Sequence, residues 1–276
     1  MSNFGSRRFF IEHIKKVVFD LDVTIYQNNL FHPDYIHFLV EQTPYESWET
    51  DLVSLVDDIF AGKRLVMNDY YCCAPVCADS FTTYVELLEN ARIPGLTFDA
   101  SVARSDTMFL GDAWAVVALI GSTLGLIQNG RGDLIYKKTR CKMSEDGMEG
   151  NMRLKAAILE LGRHNETVLL TNSYEQTALD FLEQLNFSGV FTKIVYSAHK
   201  PFGLVENLTR FCPQLAEHPE TFLTIGDHAF NDLMPLQQLG AKTLWINPFN
   251  GIHEAKADMI VHTLDELAER LEYMCR

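Results

Sequence analysis

Basic residues are scarce in this chain. There are 23 Lys and Arg against 37 Asp and Glu, which gives a net charge of −14 and a pI near 5.0. That balance excludes an extended nucleic-acid surface or a dock for an anionic membrane. It leaves room for a small anionic ligand, because one Lys and a metal ion can reverse the field inside a pocket. Long apolar runs are missing as well. The most apolar window, Ala113 to Ile127, is shorter than a membrane span and is broken by Gly121, Ser122 and Thr123. The six cysteines (Cys72, Cys73, Cys77, Cys141, Cys212 and Cys275) form no C-x-x-C pair. Free thiols in a reducing compartment follow, and a metal site at Cys72, Cys73 and Cys77 lacks a second Cys or His pair. Arg7-Arg8 leads into Glu12, His13, Lys15 and Lys16 instead of an apolar stretch, so it does not read as an export signal. Asn165, Asn186 and Asn207 open glycosylation-type tripeptides that, without a secretion signal, read as chance. The expectation is a soluble cytoplasmic protein, monomer or homodimer, with no nucleic-acid or membrane partner.

What is present is an ordinary globular composition, 47% hydrophobic and 22% charged over 276 residues. Val17-Val18-Phe19 reads as a buried strand running from about Lys16 to Asp20. It ends in Asp20 and Asp22, which share one side if the strand stays extended. From about Gln27 to Glu149 no strong strand alternation follows. Helices are expected from Pro33 to Val40, Trp48 to Phe60 and Ser80 to Asn90, with a buried helix or helix pair over Met108 to Ile127. Gly130 to Asp133 reads as a turn, Leu134 to Tyr136 as a short strand, and Cys141 to Asn151 as a hinge.

Beyond that, strand and helix alternate. Strands are expected at Thr167 to Thr171, Phe191 to Tyr196, Phe222 to Ile225, Lys242 to Ile246 and Met259 to Val261. Ser173 with Gln176 and Thr263 with Glu266 read as helix-capping pairs, and Pro201 as the first turn of a helix. Such alternation predicts an α/β fold, a Rossmann-like parallel sheet with helices on both faces. A structureless loop of over a hundred residues after the first strand is implausible, so a mainly helical domain is inserted there. The expected division is residues 1–26 with 150–276 as the core and 27–149 as the insert.

Four strand ends carry residues suited to one chemistry. Asp20 and Asp22 follow the first strand. Thr171, Asn172 and Ser173 offer a hydroxyl and main-chain N–H groups before a helix, a cradle for phosphate. Lys200 supplies a cation in Ser197-Ala198-His199-Lys200-Pro201, and Gly226-Asp227 through Asn231-Asp232 adds two more acids. A carboxylate can attack phosphorus, a second acid can protonate the leaving oxygen, and a cation can screen the charge that develops. Clustered carboxylates repel, so a divalent ion such as Mg²⁺ is needed to keep them ionised.

In order and type these segments resemble the four motifs of the haloacid dehalogenase-like (HAD) hydrolase superfamily, chiefly its phosphatases. The resemblance covers residues 16 to 26 and about 151 to 270. It implies Asp20 as nucleophile and Asp22 as general acid and base. Thr171, Asn172 and Lys200 would hold substrate phosphate. Mg²⁺ would be bound by Asp20, the main-chain carbonyl of Asp22 and Asp227. Asp232 would act through water or as partner of Lys200. The insert stands where this superfamily places its helical cap, which sets substrate choice. The implied activity is Mg²⁺-dependent hydrolysis of a small phosphorylated metabolite, a nucleotide or sugar phosphate, through an aspartyl-phosphate. The alternatives are a phosphomutase of the same superfamily and a non-catalytic binding or scaffold protein. Dehalogenation is disfavoured by Asp22, since a carbon–halogen bond needs no such acid. Val23 departs from the pattern by standing where many members have Gly. His228 and Phe230 are bulkier than usual, and His228 reads as a surface or supporting residue.

Overall fold

The computed structural model describes residues 13–27, 31–95, 106–249 and 255–275. The chain divides into two compact units. One comprises Met1–Gln27, Met148–Pro248 and Lys256–Arg276; the other comprises Asn28–Gly147 with Phe249–Ala255. The strands, in chain order, are β1 (Lys16–Phe19), β2 (Tyr70–Cys72), β3 (Thr107–Phe109), β4 (Glu166–Leu170), β5 (Lys193–Val195), β6 (Phe222–Gly226), β7 (Lys242–Ile246) and β8 (Met259–Val261).

In the first unit six strands form one parallel, Rossmann-like sheet in the order β5-β4-β1-β6-β7-β8. β1 takes a central place because Val17, Val18 and Phe19 are apolar in succession, as a strand covered on both faces must be. Its alternation is plain in the packing. Val18 joins Leu204 and Leu208 of helix Leu204–Phe211 on one face. Phe19 points to the other, its ring 5.6 Å from that of Phe191. Lys16 pairs with Glu166, its neighbour in register on β4. Helices Met152–Leu161 and Leu264–Met274 pack together, and each buries one apolar face, Leu154, Ile158 and Leu161 on the first and Leu264, Leu267 and Leu271 on the second. Thr263 caps the second of them, its hydroxyl accepting from Glu266 N at 3.1 Å. β4 and β5 lie on one side of β1 and β6 to β8 on the other. The order therefore reverses at β1, and the carboxyl ends of β4, β1 and β6 border the crevice where open α/β sheets bind ligands.

The second unit is mainly helical. Its helices among the described residues are His32–Val40, Glu49–Phe60, Phe81–Asn90, Ala113–Thr123 and Arg131–Asp146. Ser80 caps the third, its hydroxyl accepting from Thr83 N at 3.2 Å. Expectations fail here in several places. The turn expected at Gly130 to Asp133 is already helix from Arg131, and the hinge expected from Cys141 is helical as far as Asp146. Leu134 to Tyr136 is no strand but lies inside helix Arg131–Asp146, whose buried face is Ile135, Thr139, Arg140 and Met143. Half of that face is polar, so an apolar scan misses it; Arg140 is buried because its guanidinium lies 4.4 Å over the Trp114 ring. Met108 opens no helix: β3 ends at Phe109, and Asp112 caps the helix that follows, accepting from Ala115 N at 2.6 Å. β2 and β3 form an antiparallel ribbon in this mainly helical unit. Three-residue strands are too short to show a period, and a partly buried pairing of Asp69 with Arg92 (2.7 Å) stands at the start of this one. The six cysteines are free. Residues 1 to 15 read in the sequence as a short helix or arm before the first strand, and of these only His13 to Lys15 are among the described residues.

Candidate active site

Because β1 is flanked by β4 and β6, the residue after it emerges between their ends. That residue is Asp20, whose N–H donates to Ile225 O at 2.9 Å and whose side chain is buried. Lys200 reaches it from the loop before helix Leu204–Phe211. The ammonium lies 2.5 Å from Asp20 Oδ1 and 2.6 Å from Asp232 Oδ1, so one cation bridges two acids from different strand ends. Pro201 is not in the first turn of that helix; it follows a cis peptide bond from Lys200, three residues before the helix begins.

The chain does not stay extended through Asp22. It turns after Asp20, with Val23 at φ +60°, Ile25 N donating to Leu21 O at 3.0 Å, and a bridge between Asp22 and Tyr26. The Asp22 side chain is not one of the group formed by Asp20, Asp227 and Asp232. Its carboxylate accepts from Tyr26 Oη on one oxygen and from Ser173 Oγ (3.3 Å) on the other. A β-branched residue in the left-handed region costs roughly 1–2 kcal/mol, and here the side chain is also buried. The usual order of substitutions is therefore expected to invert: Val23→Gly should be less destabilising than Val23→Ala by about 1 kcal/mol, because only glycine relieves the backbone. Urea denaturation of the two variants measures this.

Thr171 follows β4 and is buried; its hydroxyl oxygen accepts from Ser173 N at 3.0 Å, which leaves the O–H to donate. Asn172 is spent differently. Its side chain clasps the main chain of Lys200, accepting from Lys200 N at 2.7 Å and donating to Lys200 O at 3.1 Å. What Asn172 can offer an anion is its own main-chain N–H, while its amide fixes the loop that carries the Lys. The expected Ser173–Gln176 cap does not form. Helix Glu175–Gln184 begins after Tyr174, and the Ser173 hydroxyl is committed to Asp22 instead.

After β6 the chain makes a π-helical turn, Ala229–Leu233, which runs on into the short helix Met234–Gln237. His228 caps it and is buried, not at the surface: Asn231 N donates to its Nδ1 at 3.2 Å. The turn brings Asp232 back beneath Gly226. Asp232 Oδ2 accepts from His228 N at 3.0 Å, and Thr224 Oγ1 donates to Asp232 O at 2.7 Å. Asp227 is buried beside it, its carbonyl accepting from Trp245 Nε1 of β7 at 2.6 Å. One oxygen from each of Asp20, Asp227 and Asp232 lies within 4.8 Å of the others.

No protein-family model matches the chain, and no curated protein does. Solved structures do. A protein assigned as a β-phosphoglucomutase from Thermotoga maritima is 15% identical over 94% of this chain and 99% of its own, with a TM-score of 0.51. The HAD-hydrolase assigned as YfnB of Bacillus subtilis, solved with magnesium, is 18% identical over 94% and 98%, at 0.50. An L-2-haloacid dehalogenase is 14% identical over 94% and 99%, also at 0.50. The chain has the HAD-like hydrolase fold.

Within this HAD fold the electrostatics are unbalanced. Burial pushes the Asp20 carboxyl up, to about 8, with Lys200 opposing and Asp232 and Asp22 adding to the rise. Burial also works against the Lys200 ammonium, but Asp20 and Asp232 outweigh it and hold its pKa above the ordinary lysine value. Were all three buried acids ionised, one ammonium would leave the group two charges negative, and the raised Asp20 pKa is the protein's resistance to that state. A hard divalent cation, which prefers oxygen donors, would complete the balance, and this donor set fits one. Asp20 and Asp227 are the acids suited to it, since both oxygens of Asp232 already serve Lys200 and His228. The side chain of Asp22 stands outside the three-carboxylate group, which leaves it its carbonyl as a donor.

Proposed function

We propose that this chain is a Mg²⁺-dependent phosphatase that hydrolyses a small phosphomonoester, a nucleotide or sugar phosphate, through an aspartyl-phosphate. The observation that carries the reading is the pairing of a buried Asp20, clamped by Lys200 at 2.5 Å, with a second acid, Asp22, held separately by two hydroxyl groups. A dehalogenase would have no use for the second. In this reading an Asp20 oxygen attacks phosphorus and the leaving alkoxide takes a proton from Asp22. Asp22, now a carboxylate, deprotonates a water that attacks the same phosphorus, and Asp20 leaves as carboxylate. Thr171 O–H, the Asn172 N–H and the Lys200 ammonium hold the phosphate oxygens and their growing charge. Mg²⁺, held by Asp20, Asp227 and the Asp22 carbonyl, supplies charge neutralisation when bound. The helical insert, 28–147, serves as the cap that selects the rest of the substrate.

The test is a panel of phosphorylated metabolites with and without Mg²⁺. At least one ester should turn over, a chelator should remove the activity, and Mg²⁺ should restore it. Phosphate delivered to a second sugar hydroxyl would make the protein a mutase, and no turnover by folded protein would remove the enzyme reading. Metal binding has its own readout. Saturating Mg²⁺ should raise the unfolding midpoint by roughly 5 °C or more in wild type and not in Asp227→Asn.

A further inference from the structure

We infer that Tyr26 and Ser173 are positioning residues that jointly aim the Asp22 carboxylate at the leaving oxygen; this rests on the phosphatase reading of Asp22. Both lie in the sheet unit, and neither belongs to the group of Asp20, Asp227, Asp232 and Lys200.

Tyr26 is buried, and its ring stands edge-on to Phe181 of helix Glu175–Gln184 at 5.7 Å and 85°. The phenol is therefore fixed from behind, and its hydroxyl meets Asp22 Oδ1. Ser173 is buried and pinned by its main chain on both sides: its N–H donates to Thr171 Oγ1 at 3.0 Å, and its carbonyl accepts from Ser197 N at 3.0 Å. Its hydroxyl meets Asp22 Oδ2 at 3.3 Å. One carboxylate thus has each oxygen engaged by a different, independently anchored hydroxyl.

The choice of hydroxyl groups suits a residue that must work as acid and then as base. Ser and Tyr are neutral donors: they can bond the carboxylate and go on donating to the oxygens of the carboxylic acid. The hold therefore survives both protonation states, while the acid proton stays free for the leaving oxygen. Arg or Lys would stabilise only the ionised form. The main-chain N–H of Ser173 meanwhile bonds the Thr171 hydroxyl oxygen, so this one residue touches both the phosphate grip and the proton carrier.

A misaimed general acid matters only when the leaving oxygen needs a proton. The experiment compares p-nitrophenyl phosphate, whose leaving group is stable as an anion, with glycerol phosphate, whose alkoxide is not. In Tyr26→Phe and Ser173→Ala, kcat should fall much more on glycerol phosphate, raising the ratio of the two rates by about tenfold or more. Ser173→Thr, which keeps the hydroxyl, should restore the wild-type ratio. Side-chain removal leaves the Ser173 N–H in place, so the change should appear in kcat and not in KM. Equal losses on both esters, or no loss on either, would overturn the inference. Asp22→Asn separates the two levels. If it changes the ratio while the hydroxyl variants do not, this inference alone falls. If it does not change the ratio, or wild type hydrolyses neither ester, the reading of Asp22 falls first and takes the inference with it.

Discussion

Asp20→Asn is expected to stop turnover, with kcat lower by about 10⁴-fold or more, while the protein stays folded. The amide matches the carboxylate in size, so the strand end keeps its packing. It has no anionic oxygen to attack phosphorus, and no neighbour is placed to substitute. Asp22 is turned towards Tyr26 and Ser173, and Asp232 is occupied by Lys200 and His228 N. The same substitution is expected to raise the melting temperature of the metal-free protein. It removes one of the two acids competing for the Lys200 ammonium and leaves a balanced pair with Asp232 at 2.6 Å. Loss of activity with gain of stability is what a site under electrostatic strain predicts. Phosphate release and thermal unfolding without metal measure the two halves. Activity within about 100-fold of wild type would remove Asp20 as the nucleophile.

The α/β half of the chain was legible because its strands are short apolar runs between turn signals. β4, β6, β7 and β8 lie within one residue of where periodicity puts them. The convergence of Asp20, Lys200, Asp227 and Asp232 was legible for a related reason. A parallel sheet collects its strand ends on one edge, so polar residues there become neighbours whatever their distance in sequence. What could not be read depends on single dihedral angles and on competition between partners. The turn that brings Tyr26 back to Asp22 passes through the left-handed φ of Val23, and a Val gives no warning of such a turn. Whether Ser173 caps a helix or holds Asp22 is decided by which acceptor the fold brings near it. The polar helix face at Thr139 and Arg140 became a core face only because Trp114 lies against it.

Gly226→Ala is expected to cost about as much activity as removing a catalytic hydrogen bond, roughly 10²–10³-fold in kcat, although Gly226 carries no chemistry. A β-carbon built on Gly226 would stand 2.4 Å from Asp232 Cβ and 2.4 Å from its Oδ2. No real contact is that short, and the atoms in the way are not the free end of a flexible chain. Asp232 is fixed at both ends, through Thr224 Oγ1 on its carbonyl and through His228 N and Lys200 Nζ on its carboxylate. Relief must come from moving the π-helical turn, and Lys200 moves with its partner. Misplacing a clamping cation by about 1 Å is enough to account for losses of this size. The cause can be isolated by a double-mutant cycle on stability. Gly226→Ala should be destabilising by about 2–3 kcal/mol in wild type and by much less when Asp232→Gly has already emptied the space. Equal cost in both backgrounds would mean that the glycine serves the strand end itself and not the carboxylate beneath it.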